Sequence, residues 1–243
     1  MNIVFPMAGL GSRFSSQGYD IPKPLIKVLG KTIVEWSIRT LGLEGNFIFC
    51  CKTEHVEKFK IDIILKEIIP KCEIVTIDYQ TEGTLQTILE AKKFINNSDE
   101  LIISDSDHYL EWDVSKFHEI QKTDIDGCTM VFPDEQTSDA FSYVKLDHNG
   151  FIVKSSEKTP ISTIATVGLH YFKKGSDFVK FGETMINENL RTNNEFYVTP
   201  IYNLFAKSMK KITTFPVKKM WALGNPEEVN LFVKEFDGKS NQT

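Results

Sequence analysis

Strand-like and helix-like stretches alternate along the first part of the chain, and that alternation leaves few folds open. Residues 3–5, 46–51, 73–79 and 101–104 are short apolar or β-branched runs and read as strands. Between them, residues 32–41, 54–69 and 84–95 carry apolar side chains at helical spacing, with Gly42 and Pro70 as stop signals. Strand, helix, strand, helix in this order predicts a parallel sheet joined by right-handed crossovers.

The rest of the chain is patterned differently. Residues 128–132, 143–146, 151–154, 166–172, 212–216 and 217–222 read as strands, with a turn at His148-Asn149-Gly150. Helices are expected at 176–189, 198–209 and 226–235, and the polar tail 237–243 is expected to fray. No repeat, low-complexity stretch or linker interrupts the pattern. The expectation is therefore one domain over residues 1–236, in two halves over about 1–110 and about 111–236.

Composition narrows the class. The chain has 243 residues, 41% hydrophobic and 25% charged, which suits a soluble globular protein. Its net charge is −5 and no basic run occurs, which argues against nucleic acid as a partner, since phosphate neutralisation needs clustered Lys and Arg. Cys50, Cys51, Cys72 and Cys128 form no C-x-x-C pair, so they read as reduced core thiols rather than zinc ligands. Cys50 and Cys51 adjoin in a strand and should point to opposite faces. No signal peptide precedes the first strand and no apolar run has membrane-spanning length, so a cytoplasmic protein without a membrane partner is expected. Homo-oligomerisation stays open.

The chemistry begins at residues 7–25, MAGLGSRFSSQGYDIPKPL, directly after the first strand. Gly9 and Gly11 let backbone N–H groups approach a polyphosphate. Arg13 offers a planar fork for phosphate oxygens, and Lys23 a point charge held between Pro22 and Pro24 in an extended loop. Two other phosphate motifs fail at named residues. A dinucleotide fingerprint needs glycine where Phe14 stands, and a Walker A loop ending in Gly30-Lys31-Thr32 needs glycine at Leu25.

Two further turns follow strands. Gln80-Thr81-Glu82-Gly83-Thr84 closes the third strand, and ligands in open α/β sheets bind beyond the carboxyl ends of strands. Gln80 carries donors and acceptors able to read a base edge, and Gly83 would let the base lie against bare backbone. Ser104-Asp105-Ser106-Asp107-His108 closes the fourth strand. Two carboxylates at i and i+2 suit a hard cation such as Mg²⁺. His108 reads as a packing or supporting residue rather than a ligand.

Taken as a set, these motifs resemble the sugar-phosphate nucleotidyltransferase family. The resemblance runs from the glycine loop through Pro22-Lys23-Pro24-Leu25, the Gln80 to Thr84 turn and the aspartates. It continues through Ser156-Glu157-Lys158, Val167-Gly168-Leu169-His170-Tyr171-Phe172 and Leu223-Gly224-Asn225-Pro226-Glu227-Glu228. It implies a Rossmann-like three-layer α/β/α sandwich with a mostly parallel mixed central sheet. The implied reaction is attack of a phosphorylated acceptor on the α-phosphorus of an NTP, assisted by Mg²⁺ or Mn²⁺, with pyrophosphate leaving. Carried onto this chain, Ala8, Gly9, Leu10, Gly11 and Ser12 with Arg13 would hold the triphosphate. Lys23 would bridge the α-phosphate and the acceptor phosphate. Gln80 and Gly83 would recognise the base, with Thr84 and Ser106 also on the nucleotide. Asp107 or Asp105 would hold the metal, since either can be aligned. Glu157, Lys158, Gly168, Glu195 and Tyr197 would face the acceptor.

One departure is pronounced. Many members carry a second metal-binding aspartate where this chain has Ala222. That loss favours a non-catalytic nucleotide-binding regulator, whereas Arg13, Lys23 and the paired aspartates oppose it. A polyol-phosphate cytidylyltransferase is disfavoured by Pro24, because that type commonly ends its loop in Pro-Lys-Gln. Compact length, the SDSDHYLEW segment and Ala222 resemble a capsule-associated subgroup. That resemblance alone implies CTP as nucleotide and an acceptor such as phosphoglutamine or a sugar phosphate.

Overall fold

The computed structural model describes residues 1–236, so the expected frayed tail, 237–243, lies outside the described residues. In chain order the elements are β1 (Asn2–Met7), α1 (Ser12–Ser15), β2 (Lys27–Val28), β3 (Lys31–Thr32), α2 (Ile33–Leu41), β4 (Asn46–Lys52), α3 (Thr53–Phe59) and α4 (Ile61–Ile68). Next come β5 (Glu73–Ile77), α5 (Thr84–Leu89), α6 (Lys92–Ile95), β6 (Leu101–Ser104), β7 (His108–Glu111), α7 (Val114–Gln121), β8 (Gly127–Pro133) and β9 (Ser142–Leu146). The last are β10 (Ile152–Glu157), β11 (Ile164–Phe172), α8 (Gly175–Asn187), α9 (Tyr202–Lys207), β12 (Ile212–Pro216), β13 (Lys219–Ala222) and α10 (Pro226–Glu235).

The main sheet runs β10-β9-β11-β6-β1-β4-β5, with β8 beside β11 and β12 beside β8. β5, β4, β1 and β6 are mutually parallel, as the strand–helix alternation requires. β11 then pairs antiparallel with β6, so the sheet changes character at β6. Along β1 and β4, Phe5, Phe47, Phe49 and Cys51 face one core, packed by Val34 and Ile38 of α2 and Leu65 of α4. Val4, Ile48 and Cys50 face the other, packed by Leu85 of α5 and Phe178 of α8. Helices therefore cover both sheet faces, giving the three-layer α/β/α sandwich, and Cys50 and Cys51 do point to opposite faces. All four cysteines are free and buried. Among the described residues no helix is long and apolar enough to cross a membrane.

Several elements differ from expectation. The helix read at 54–69 breaks at Lys60, which takes a left-handed conformation (φ 54°) and turns α4 inward so that Ile61 and Leu65 are buried. The helix read at 84–95 divides into α5 and α6, because Ala91 leaves helical geometry (φ −84°, ψ 8°). The start of the one read at 198–209 is a 3₁₀ turn, Thr199–Ile201, with Pro200 in it. The strand read at 217–222 starts at Lys219 and pairs antiparallel with β7, off the main sheet. β7 and α7 lie outside the expected elements, although α7 has local signals: Asp113 caps it by accepting from Lys116 N, and Phe117 and Ile120 follow at helical spacing.

A third core joins these outlying parts. Phe14, Trp36, Tyr109, Trp221 and Phe232 pack together, tying the glycine-loop helix to β7, β13 and α10.

His170 on β11 gives a test of the burial. It is 4% exposed, and its Nδ1 lies 2.8 Å from Tyr202 Oη and 3.0 Å from Thr129 Oγ1. Burial, then the charge of His108, pushes its pKa down to about 3. Unfolded, the ring titrates near about 6.5, so below that pH the unfolded chain takes up a proton that the folded chain refuses until pH falls to its own pKa. Stability should therefore fall as pH drops from about 6.5 towards 3. Urea denaturation from pH 7 to 4 should show a shallower slope in His170→Gln than in wild type; equal slopes would contradict it.

Candidate active site

The turns after β1, β5 and β6 gather at one end of the sheet, the carboxyl ends of the parallel strands. After β1 the chain bends at Gly11 (φ 63°), a conformation that favours glycine. Phe14 N and Ser15 N both donate to the Gly11 carbonyl, and buried Phe14 anchors the short α1. Pro22 is extended (φ −57°, ψ 138°), but Lys23–Leu25 form a 3₁₀ turn rather than the fully extended loop expected. Leu25 N donates to Pro22 O and Ile26 N to Lys23 O, while Pro24 and Leu25 are buried. Lys23 thus projects from a fixed turn, and its Nζ donates to Asp107 Oδ2 at 2.5 Å.

The turn after β6 is held from two sides. Asp105 N donates to Gly168 O at 2.8 Å, and Leu223 N to Asp107 O at 2.7 Å. Gly168 sits at a register shift of β11 against β8, with φ 73°. A Cβ there would lie 2.0 Å from Asp105 Oδ2, so only glycine allows the carboxylate its place. His108 opens β7, and Ser37 clamps its backbone, donating to His108 O at 2.8 Å and accepting from His108 N at 3.1 Å. One ligand atom each from Asp105, Asp107 and His108 lie within 4.8 Å of one another. Burial and the neighbouring Asp107 raise the Asp105 pKa to about 8. Burial also acts to raise Asp107, but the charge and hydrogen bond of Lys23 outweigh it and leave the carboxyl below the ordinary range.

Two cavities meet at this turn. The first, about 380 Å³, is lined by Ala8, Gly9, Leu10, Gly11 and Ser12 of the loop, by Lys23, by Gln80, Gly83 and Thr84, and by Ser106. The second, about 470 Å³, is lined by Arg13, Glu157, Lys158, Gly168 and Tyr197. Asp105, Asp107, Thr84 and Glu195 line both. Arg13, expected at the triphosphate, lines the second cavity and not the first. Gly83 lines the first cavity and also meets a distant stretch of backbone. Its missing Cβ would strike Phe196 O at 2.5 Å and Phe196 N at 2.6 Å, so glycine there admits the Phe196 backbone, which bonds to Glu82 O and Leu85 N.

In the second cavity, Glu157 is 8% exposed and accepts from the Ser142 hydroxyl; burial raises its pKa. Lys158 follows in a left-handed conformation (φ 53°) and donates to Tyr197 Oη at 2.9 Å. Sequence reasoning missed Ser142 and Glu228. Glu228 Oε2 accepts from Gly224 N at 2.7 Å, and Asn225 Oδ1 accepts from Glu228 N at 2.9 Å. The Asn225-Pro226-Glu227-Glu228 spacing of a capping box was the available signal.

Residues 6–222 match the family model described as nucleotidyl transferase. The chain belongs to the nucleotidyl transferase family. The bifunctional protein GlmU of Thermosipho melanesiensis is 23% identical over 249 residues, covering 100% of this chain and 52% of that protein. A putative mannose-1-phosphate guanyltransferase of Sulfolobus acidocaldarius is 23% identical over 169 residues, covering 68% of this chain and 46% of its own. The chain thus spans about half the length of these relatives. Among solved structures, a nucleoside-diphosphate-sugar pyrophosphorylase from Vibrio cholerae RC9 superposes with TM-score 0.81 at 22% identity, covering 96% of this chain and 100% of that one. A UDP-glucose pyrophosphorylase complexed with UDP-glucose gives TM-score 0.74 at 18% identity, covering 96% and 98%. The nucleotidyl transferase fold therefore extends over the sheet and both cavities.

The close approach at Gly168 is testable against Gly18, which also has positive φ (84°) but open space where a Cβ would go. Gly18→Ala should cost only the left-handed backbone, about 1–2 kcal/mol, whereas Gly168→Ala adds about 1–3 kcal/mol of overpacking. Equal losses in denaturant unfolding would show that Asp105 moves aside freely.

Proposed function

We propose that this chain transfers a nucleoside monophosphate from an NTP to a phosphorylated small acceptor with release of pyrophosphate, CTP being the favoured nucleotide. The observation that carries the proposal is the wall shared by the two cavities, where Asp105 and Asp107 line both and Lys23 reaches Asp107. A glycine loop on one side and Glu157, Lys158, Gly168, Glu195 and Tyr197 on the other give each substrate its own pocket. Residues 1–236 act as one unit in this reading.

The acceptor phosphate is already ionised, so little proton transfer is needed. Rate comes from in-line placement of two polyanions and from neutralising the charge between them. Backbone N–H groups from Ala8 to Ser12 receive the triphosphate, Thr84 and Ser106 border it, and Gln80 and Gly83 edge the base. Lys23 moves from Asp107 to the phosphates between the pockets, and Arg13, on the second cavity, meets the acceptor phosphate. The oxygen donors of Asp105 and Asp107, gathered with His108 within 4.8 Å, fit a divalent cation such as Mg²⁺ or Mn²⁺. When bound, the cation supplies charge neutralisation at the phosphates.

The activities named for a mannose-1-phosphate guanyltransferase and a UDP-glucose pyrophosphorylase among the similar proteins support a sugar phosphate as acceptor. The resemblance to the capsule-associated subgroup supports phosphoglutamine, CTP, a cytoplasmic setting and a role in building surface polysaccharide. A pyrophosphate-release screen of the four NTPs against sugar, choline and amino-acid-derived phosphates separates these, and separates an enzyme from a nucleotide-binding regulator. Pyrophosphate should appear with CTP and one acceptor class and cease on chelation. Release from no pair would overturn the reading.

Two substitutions sharpen it. Lys23→Ala should lower kcat/KM by about two decades or more, the scale of losing one preorganised charge stabiliser; a folded variant with normal turnover contradicts the role. Gln80→Ala should narrow the preference for CTP over UTP, because an unmatched base edge leaves polar groups unpaired. An unchanged ratio would shift base recognition to the backbone near Ala8 and Gly83.

A further inference from the structure

We propose that His108 is itself a ligand of the divalent cation at the Asp105 and Asp107 turn, making it a mixed carboxylate–imidazole site. The inference rests on the reading that this turn holds a cation, and adds a ligand that changes which cation is preferred.

His108 is 3% exposed, yet it lines the second cavity together with both aspartates. A ring atom lies within 4.8 Å of a carboxylate oxygen from each of them. Ser37 fixes the backbone on both sides of the peptide unit, so the ring starts from a set position. Its direct cross-strand partner in the β7–β13 pair is Ala222, which also lines the second cavity. Directly opposed residues share a sheet face with Cβ atoms roughly 5 Å apart. A methyl group there supplies no ligand of its own, so on that face the donor is the imidazole.

The ring's hydrogen bonding is also incomplete. Nε2 lies 3.4 Å from Ser104 Oγ, long for a hydrogen bond, and that hydroxyl also donates to Asp105 O at 3.1 Å. Ser104 on one nitrogen and a cation on the other is how a metal-bound imidazole is usually oriented. A packing histidine would need neither the cavity nor the two carboxylates.

An imidazole nitrogen favours Co²⁺ or Zn²⁺ more than it favours Mg²⁺, whereas carboxylates alone suit Mg²⁺ and Mn²⁺. The decisive experiment uses the full chain loaded with Mn²⁺ and no nucleotide. Pulsed EPR of wild type should show modulation from a directly bound nitrogen, and His108→Ala should lose it while His170→Gln keeps it. In parallel titrations, His108→Ala should reduce the ratio of Co²⁺ to Mg²⁺ affinity by about tenfold or more. Bound Mn²⁺ without nitrogen modulation in wild type overturns the inference and leaves the carboxylate reading standing. Wild type that binds no Mn²⁺ overturns both. The wild-type spectrum decides the matter even where His108→Ala fails to fold.

Discussion

The carboxylate of Asp105 stands where any side chain at position 168 would be, and the placement of the whole site follows from that contact. β11 can supply Gly168 only because it runs antiparallel beside β6 and slips register against β8 just there. A bulge re-aims the local backbone, and here it lets Gly168 O receive the Asp105 amide. The change from parallel to antiparallel pairing is thus the point where the strand–helix part of the chain meets the antiparallel part. Both cavities open from it.

The opposite side of the same turn is held by the C-terminal part of the chain. Leu223 N bonds to Asp107 O, and Trp221 and Phe232 pack into the core that contains Phe14 of the glycine-loop helix. A perturbation of α10 therefore reaches both the glycine loop and the turn that carries the aspartates. Lys23 completes the enclosure through its ion pair with Asp107, with both side chains about a quarter exposed. At such partial burial a charge pair is not a large stabiliser, and its chief effect is to set where positive and negative charge stand before substrates arrive.

Much of this was legible in the sequence because it depends on local signals. Apolar runs marked β1, β4, β5 and β6, and Gly9 and Gly11 marked the loop after β1 that lines the first cavity. Features decided by tertiary contact were not legible. Lys60 breaks a helix without glycine or proline, because burying Ile61 and Leu65 outweighs a left-handed residue. The close approach of the Phe196 backbone to Gly83 joins residues more than a hundred apart in sequence, which no local signal announces. Arg13 and Gly11 are two residues apart, and yet the short α1 aims Arg13 at the second cavity. The pairing of His108 with Ala222 across β7 and β13 likewise carries no local sequence signal.

The central claim is that one turn, shared by two pockets, joins a nucleotide to a phosphorylated acceptor. The fate of the α-phosphate tests it most directly. CTP labelled at the α-phosphorus is incubated with Mg²⁺, the protein and a panel of sugar and amino-acid-derived phosphates, and products are separated. The account requires the label to appear in a new CMP–acceptor conjugate and to be absent from pyrophosphate. Label that stays in CTP with every acceptor, or that appears only as free CMP, would contradict it.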